Sequence, residues 1–90
     1  MKIVITVVGL DRIGIIAGVS AILAAKNVNI LSINQTILDG FFNMVLMGDT
    51  KDSTADLESL QEELKNLGSE LGVEIRAQHA DIFYSMHRVG

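Results

Sequence analysis

The first quarter of the chain changes from a strand-like to a helix-like pattern of apolar residues. Residues Lys2–Val8 are an almost unbroken run of Ile, Val and Thr, β-branched types that favour a covered strand. After a turn over Gly9–Gly14, apolar side chains between residues 15 and 23 recur on one side of a helical wheel. The pattern predicts a first strand, then a helix from about residue 11 or 12 to Lys26.

A period of two follows, beginning at Asn29. In this second strand one side is apolar and the other polar: Leu31, Ile33 and Ile37 against Ser32, Asn34 and Thr36. We therefore expect one buried face and one polar face. Asp39-Gly40 is a preferred pair for a two-residue type I′ turn, so Phe41–Gly48 is predicted to fold back as the third strand.

The second half repeats the order of helix and strand. Leucines at spacings of three and four between Leu57 and Leu71 predict an amphipathic helix that packs on the core, with Ser53 or Thr54 as its N-cap. Alternation over Val73–His79 predicts a fourth strand, and a short apolar tail follows. In that tail Ile82, Phe83 and Met86 share one face of a short helix that is expected to dock.

This order, βαββαβ plus a tail, predicts an α+β fold of the ferredoxin-like type. Two right-handed βαβ halves joined by a hairpin give a four-stranded antiparallel sheet with two helices on one face. A chain of 90 residues has room for one core. We expect residues 1–79 to form the domain, and residues 80–90 to form a tail helix that packs on it or on a partner subunit.

The composition also predicts that the chain associates with a second copy of itself. Almost half of the residues are hydrophobic, although a domain of this size leaves much of its chain at the surface. The first helix also carries small side chains away from its apolar stripe: Ala17, Gly18, Ala21, Ala24 and Ala25. Such positions suit close approach by another element, so we expect a homodimer, or a higher oligomer, joined beside the second strand.

Charge and residue types exclude several functions. The absence of Cys removes thiolate metal sites and thiol chemistry, and with a net charge of −4 the scattered basic residues form no stripe for nucleic acid. The longest uncharged run, residues 13–25, is too short to span a bilayer. His79, Asp81 and His87 lack metal-ligand spacing, and no nucleophile elbow surrounds Ser32 or Ser85. We expect a soluble, cytoplasmic protein that has no cofactor and no metal and is not an enzyme.

The segment Gly9–Gly14, which reads Gly-Leu-Asp-Arg-Ile-Gly, lies between a strand and a helix N-terminus, a place that favours an anionic ligand group. Its glycines have the spacing of a nucleotide-binding loop, but Ile15 and Ile16 stand where Lys and Ser or Thr are needed. A purely structural interpretation remains open, in which the glycines satisfy turn geometry and packing while Asp11 caps the helix.

A strand followed by Asp-Arg-x-Gly at a helix start, and by Val28-Asn29-Ile30 at the second strand, resembles the ACT domain over residues 2–79. ACT domains regulate amino-acid metabolism, as fused modules or as free-standing proteins. The tail resembles that of stand-alone bacterial and archaeal ACT proteins, with a distant similarity to the glycine cleavage repressor.

The resemblance also implies a ligand site between two subunits. It would take Gly9, Leu10, Asp11, Arg12, Ile13 and Gly14 from one subunit, and Asn29 and Ile30 from its partner. Asp11 stands where amino-acid-binding members have Asn, and no His precedes the loop as it does in serine-binding members. Two functions follow as expectations: a regulatory sensor of an amino acid or similar metabolite, or a ligand-free interaction module.

Overall fold

A computed structural model describes residues 1–86. The elements follow the predicted order, with a short helix at the end. They are β1 (Lys2–Leu10), α1 (Ile15–Ala25), β2 (Asn29–Leu38), β3 (Phe41–Asp49), α2 (Leu57–Leu71), β4 (Val73–His79) and α3 (Ala80–Met86).

The four strands form one antiparallel sheet in the order β2-β3-β1-β4. One face of the sheet carries α1 and α2, and the core lies between them. Fully buried side chains in that core include Ile5 of β1, Val19 of α1, Leu46 of β3 and Leu64 of α2. The predicted ferredoxin-like architecture is therefore confirmed.

The β2–β3 hairpin is confirmed at the predicted pair of residues. Leu38 pairs with Phe41, which leaves two residues in the turn. Asp39 has φ 53° and Gly40 φ 79°, so both central residues are in the left-handed region that a type I′ turn needs.

Both helix starts differ from the prediction. The first helix begins at Ile15 with Gly14 as its N-cap, and no side chain caps it, so Asp11 is not a helix cap. The second helix is capped by Asp56, whose Oδ1 accepts from the Ser59 N–H at 2.8 Å, and not by Ser53 or Thr54. Asp56 precedes the leucine stripe directly, which places its carboxylate within reach of the third helical N–H.

The expectation of a buried face on β2 is wrong for the single chain. All ten of its residues are exposed except Ile30, which is half-buried, and Ile33 and Ile37 on the helix side are 43% and 55% exposed. A register shift between Ile30 and Ser32 puts Leu31 in a bulge. The strand therefore presents apolar side chains and an unpaired edge to whatever lies beside it.

The last helix lies on the face of the sheet opposite α1 and α2. It helps to bury Val4, which is 1% exposed, and the Tyr84 hydroxyl lies 4.0 Å from the Met47 sulfur. Within this helix Ala80 is buried and Phe83 half-buried, and the Met86 sulfur lies 3.6 Å from Gln78 Nε2. Ile82 and Met86 are still 50% and 61% exposed, and their docking on a partner subunit stays a prediction. The tail residues His87, Arg88 and Val89 lie outside the described residues.

Candidate ligand-binding site

The loop between β1 and α1 is tied to the hairpin turn. Because Leu10 pairs with Phe41, the chain leaves β1 directly beside the turn, and the Asp11 N–H donates to the Gly40 carbonyl at 2.8 Å. The segment Gly9–Gly14 and the Asp39–Gly40 turn therefore form one corner of the molecule. The sequence carried no signal for this contact, because it depends on the register between β1 and β3.

Two glycines of this loop are needed for different reasons. A Cβ on Gly9 would lie 2.8 Å from Val73 Cγ1 and 3.0 Å from Val73 Cα, so the close approach of β4 excludes a side chain. Gly14 has φ +97° with open space around it, so its requirement is conformational. The loop thus has a fixed path into α1.

The side chains of the loop point to solvent and present mixed chemistry. Ile13 is 99% exposed and Leu10 67% exposed. The Asp11 carboxylate is exposed as well, and it has no hydrogen bond or ion pair with any residue in the described part of the chain. The uncapped N–H groups at the start of α1 lie three to six residues further on. One corner therefore offers a free carboxylate, free backbone donors and apolar surface.

The Arg12 side chain does not join the Asp11 carboxylate and the free N–H groups of α1. Its Nη1 donates to the Leu71 carbonyl at 2.9 Å, at the C-terminus of α2. A cation at that end of a helix is favoured by the unpaired carbonyls and by the helix dipole. In the single chain, the guanidinium thus links the loop to α2.

Replacing Arg12 by Ala is therefore expected to lower stability with no ligand present. The loss should be about 1 kcal/mol, the usual net value of one hydrogen bond, or about 4–8 °C in the melting temperature of a small domain. Arg12→Lys should recover part of it. Differential scanning calorimetry of the unliganded protein measures this loss, and an unchanged melting temperature for Arg12→Ala would contradict the linking role.

The remaining predicted residues, Asn29 and Ile30, lie at the other end of the sheet. Asn29 pairs with Asp49, at the end of β3 remote from the hairpin. The Asp49 carboxylate accepts from the Lys51 N–H at 3.0 Å, and chiefly this bond holds the pKa of Asp49 below its ordinary value. Asn29 itself is exposed and makes no side-chain hydrogen bond within the described residues.

A single chain does not bring the two groups of predicted residues together. Nine residue steps along β2, each about 3.3 Å, separate Asn29 from Leu38 at the hairpin, roughly 30 Å in all. Two cavities in the described structure, of about 620 and 450 Å³, both border β4 and include none of the predicted residues.

The described residues also bear on other functions. They contain no cluster of three His, Cys, Asp or Glu side chains able to hold a metal ion. No helix among them is long and apolar enough to span a bilayer.

The comparisons with known proteins agree with the fold. The family model for the ACT domain matches residues 1–78. The chain belongs to the ACT-domain family.

Some relatives have nearly the same length as this chain. A UPF0237 protein of Clostridium perfringens is 53% identical over 89 residues, which cover 99% of this chain and 100% of that protein. The structure of an ACT domain protein from Streptococcus pneumoniae is 43% identical, with a TM-score of 0.79 over 92% of this chain and 93% of that one. A glycine cleavage system transcriptional repressor shares the fold at 22% identity, with a TM-score of 0.71 over 86% of this chain and 44% of the repressor.

Proposed function

We propose that this protein is a regulatory ACT domain that senses an amino acid or a similar small metabolite at the interface of a homodimer. The observation that carries the proposal is the hydrogen bond between the Asp11 N–H and the Gly40 carbonyl. It holds the β1–α1 loop at the hairpin end of β2, and Asn29 begins the opposite end of the same exposed strand. Antiparallel pairing of β2 with its copy is the arrangement that joins these ends.

The free hydrogen-bonding groups of β2 support a specific register for this pairing. In a two-residue hairpin Leu38 and Phe41 exchange backbone hydrogen bonds. Because the direction alternates along a strand, the backbone N–H and C=O groups of Thr36 and Asn34 also point toward β3. The N–H and C=O groups of Ile33, Gln35 and Ile37 therefore point outward. A two-fold axis at Gln35 pairs Ile33 with Ile37 of the partner subunit and satisfies all of these groups.

The same register assembles the proposed site. It sets Asn29 just beyond Leu38 of the partner subunit, at the hairpin end where Gly40 of the partner subunit accepts from the partner's Asp11. Three strand spacings, about 14 Å together, then separate the backbones of the two residues, and their side chains extend from either side toward a gap that suits a small metabolite. The helix side of the paired strands would also cover Ile33 and Ile37, which the single chain leaves exposed.

The chemistry of this gap suits a zwitterion. The free Asp11 carboxylate can bind an ammonium group, and the uncapped N–H groups of α1 can bind a carboxylate. The Asn29 carboxamide can donate to one group and accept from the other. Gly14 leaves open space beside the ligand backbone.

A thermal-shift screen with each of the twenty amino acids tests the proposal. A ligand at 100 times its dissociation constant should stabilise the domain by about 2.7 kcal/mol, a shift of roughly 10–20 °C in a chain of this size. Asp11→Ala and Asn29→Ala should each abolish the shift. A mixture of the two variants should regain it in part, because one end of each heterodimer keeps both native residues.

Asp52→Ala, a change of another exposed aspartate outside the site, is the matched control and should leave the shift intact. Full binding by both Asp11→Ala and Asn29→Ala would contradict the shared site. Absence of a shift with every amino acid would favour the ligand-free interaction module.

A further inference from the structure

The second open edge of the sheet, along β4, is distinct from the proposed ligand site. In the order β2-β3-β1-β4, β4 pairs with β1 on one side only. An edge strand that leaves N–H and C=O groups unpaired is a template for another strand. Which groups of β4 face outward is fixed by the hydrogen bonds of β1.

Two bonds beyond the ends of β1 define its alternation. The Met1 carbonyl accepts from the Thr50 N–H at 2.9 Å, and the Asp11 N–H donates to Gly40. The backbone N–H and C=O groups of odd-numbered residues of β1 therefore point toward β3, and those of even-numbered residues point toward β4. Their partners on β4 are Glu74, Arg76 and Gln78, so the backbone groups of Val73, Ile75 and Ala77 point outward.

An independent contact confirms this direction. The Gln61 side chain on α2 donates its Nε2 to the Ala77 carbonyl at 2.7 Å. Its carboxamide occupies the position that the N–H of an incoming strand would take. Gln61 is exposed, so this donor can leave the carbonyl without opening the core.

Space along the edge is available on both faces of the sheet. The cavity of about 620 Å³ lies between α2 and the edge, and the cavity of about 450 Å³ lies on the face that carries α3. Both are lined by Glu74, Arg76 and Gln78. A strand added in the plane of the sheet would therefore have open space above and below it.

The charges on this edge are complementary to themselves. Glu74 and Arg76 lie on the same face of β4, 2.6 Å apart between Oε1 and Nη2, and both are mostly exposed. In an antiparallel pair centred on Ile75, Glu74 lies opposite Arg76 of the partner subunit, and Arg76 opposite the partner's Glu74. Opposite charges in such cross-strand positions are favourable.

We propose that the β4 edge pairs antiparallel with β4 of a second copy, about a two-fold axis at Ile75, and that Gln61 competes with this pairing. The register joins Val73 to Ala77 of the partner subunit and Ile75 to its own copy, so the outward groups on both sides match. Together with pairing through β2, it would extend the sheet without a closing contact, and such assemblies grow into ribbons. Gln61 thus restrains growth at the second edge.

Removal of the Gln61 donor tests this proposal. Sedimentation equilibrium in an Ile33→Glu background, which disrupts pairing through β2, isolates the β4 contact whether or not the β2 dimer exists. Gln61→Ala is expected to raise the association constant at least about tenfold, because the Ala77 carbonyl no longer has an internal donor. Gln61→Met, which keeps the length of the side chain without a donor, should do the same. Asn66→Ala, the loss of another exposed amide on α2, should leave association unchanged.

Charge reversal identifies the register. In the Gln61→Ala background, Arg76→Glu sets Glu74 against a second carboxylate and should cancel the gain, whereas Glu74→Arg combined with Arg76→Glu should restore it. Amide hydrogen exchange at Ile75 and Ala77 should slow as the concentration of Gln61→Ala rises. Equal association of Gln61→Ala, Gln61→Met and the unsubstituted chain would overturn the proposal, and so would association that leaves these amides unprotected.

Discussion

Replacing Ile33 by Glu is expected to dissociate the proposed dimer into folded monomers. Ile33 is 43% exposed in the single chain, so the fold tolerates a polar side chain there. In the paired strands it meets Ile37 of the partner subunit, and burial of an ionised carboxylate costs several kcal/mol. About 3 kcal/mol or more corresponds to a dissociation constant at least about 100-fold higher, which sedimentation at tens of micromolar detects.

Asn34→Glu is the matched control, because it adds the same charge one residue further along the same strand. Asn34 pairs with Val45, whereas Ile33 pairs with Leu46 in the layer under the helices, so the two side chains lie on opposite faces of the sheet. The control should remain dimeric. A dimer that survives Ile33→Glu with its affinity unchanged would place the interface elsewhere, and so would an unsubstituted chain that is monomeric at tens of micromolar.

Replacing Gly68 by Ala should destabilise the fold markedly. Gly68 is buried on α2, and a Cβ there would lie 2.6 Å from the Val73 carbonyl oxygen, a backbone atom that cannot move independently of β4. Overpacking costs about 1–3 kcal/mol, and the higher helix propensity of Ala offsets about 1 kcal/mol. With a rigid neighbour we expect a net loss of about 2 kcal/mol, or about 8–16 °C in melting temperature.

Gly18→Ala tests whether rigidity of the neighbour is the cause. Gly18 is also helical, but the atoms that a Cβ would meet are the Leu67 methyl groups at 3.0 Å, the far end of a flexible side chain. Leu67 can yield by a few tenths of an ångström, so Gly18→Ala should change stability little. Equal melting temperatures for the two variants would contradict the distinction between backbone and side-chain neighbours.

Local patterns in the sequence predicted the elements well. The type I′ turn follows from Asp39-Gly40 alone, since few residue pairs adopt positive φ at both positions. Helix ends were less accessible, because several nearby side chains can cap. Asp56 caps α2, although Ser53 and Thr54 also precede it, and α1 begins at Gly14 without a side-chain cap. Which residue caps depends on where the incoming loop is held.

Some features of the candidate site could likewise be predicted from the sequence, and others could not. The sequence identified Gly9–Gly14 as a strand-to-helix loop with exposed chemistry, and the free Asp11 carboxylate agrees with that. Arg12 stays a predicted ligand-binding residue, and in the single chain its guanidinium donates to Leu71, 59 positions away along the chain. Contacts between residues so far apart have no local pattern to signal them.

By itself, the sequence determined the order of strands and helices and the hairpin, because periodicity and turn chemistry act between residues a few positions apart. Its apolar excess and the small residues of α1 also indicated a partner. Only the tertiary structure decided that β2 is exposed on both faces, that the Asp11 loop adjoins Gly40, and that Gln61 covers the Ala77 carbonyl. These depend on strand order and register, which arise from packing across the whole sheet and place distant residues side by side.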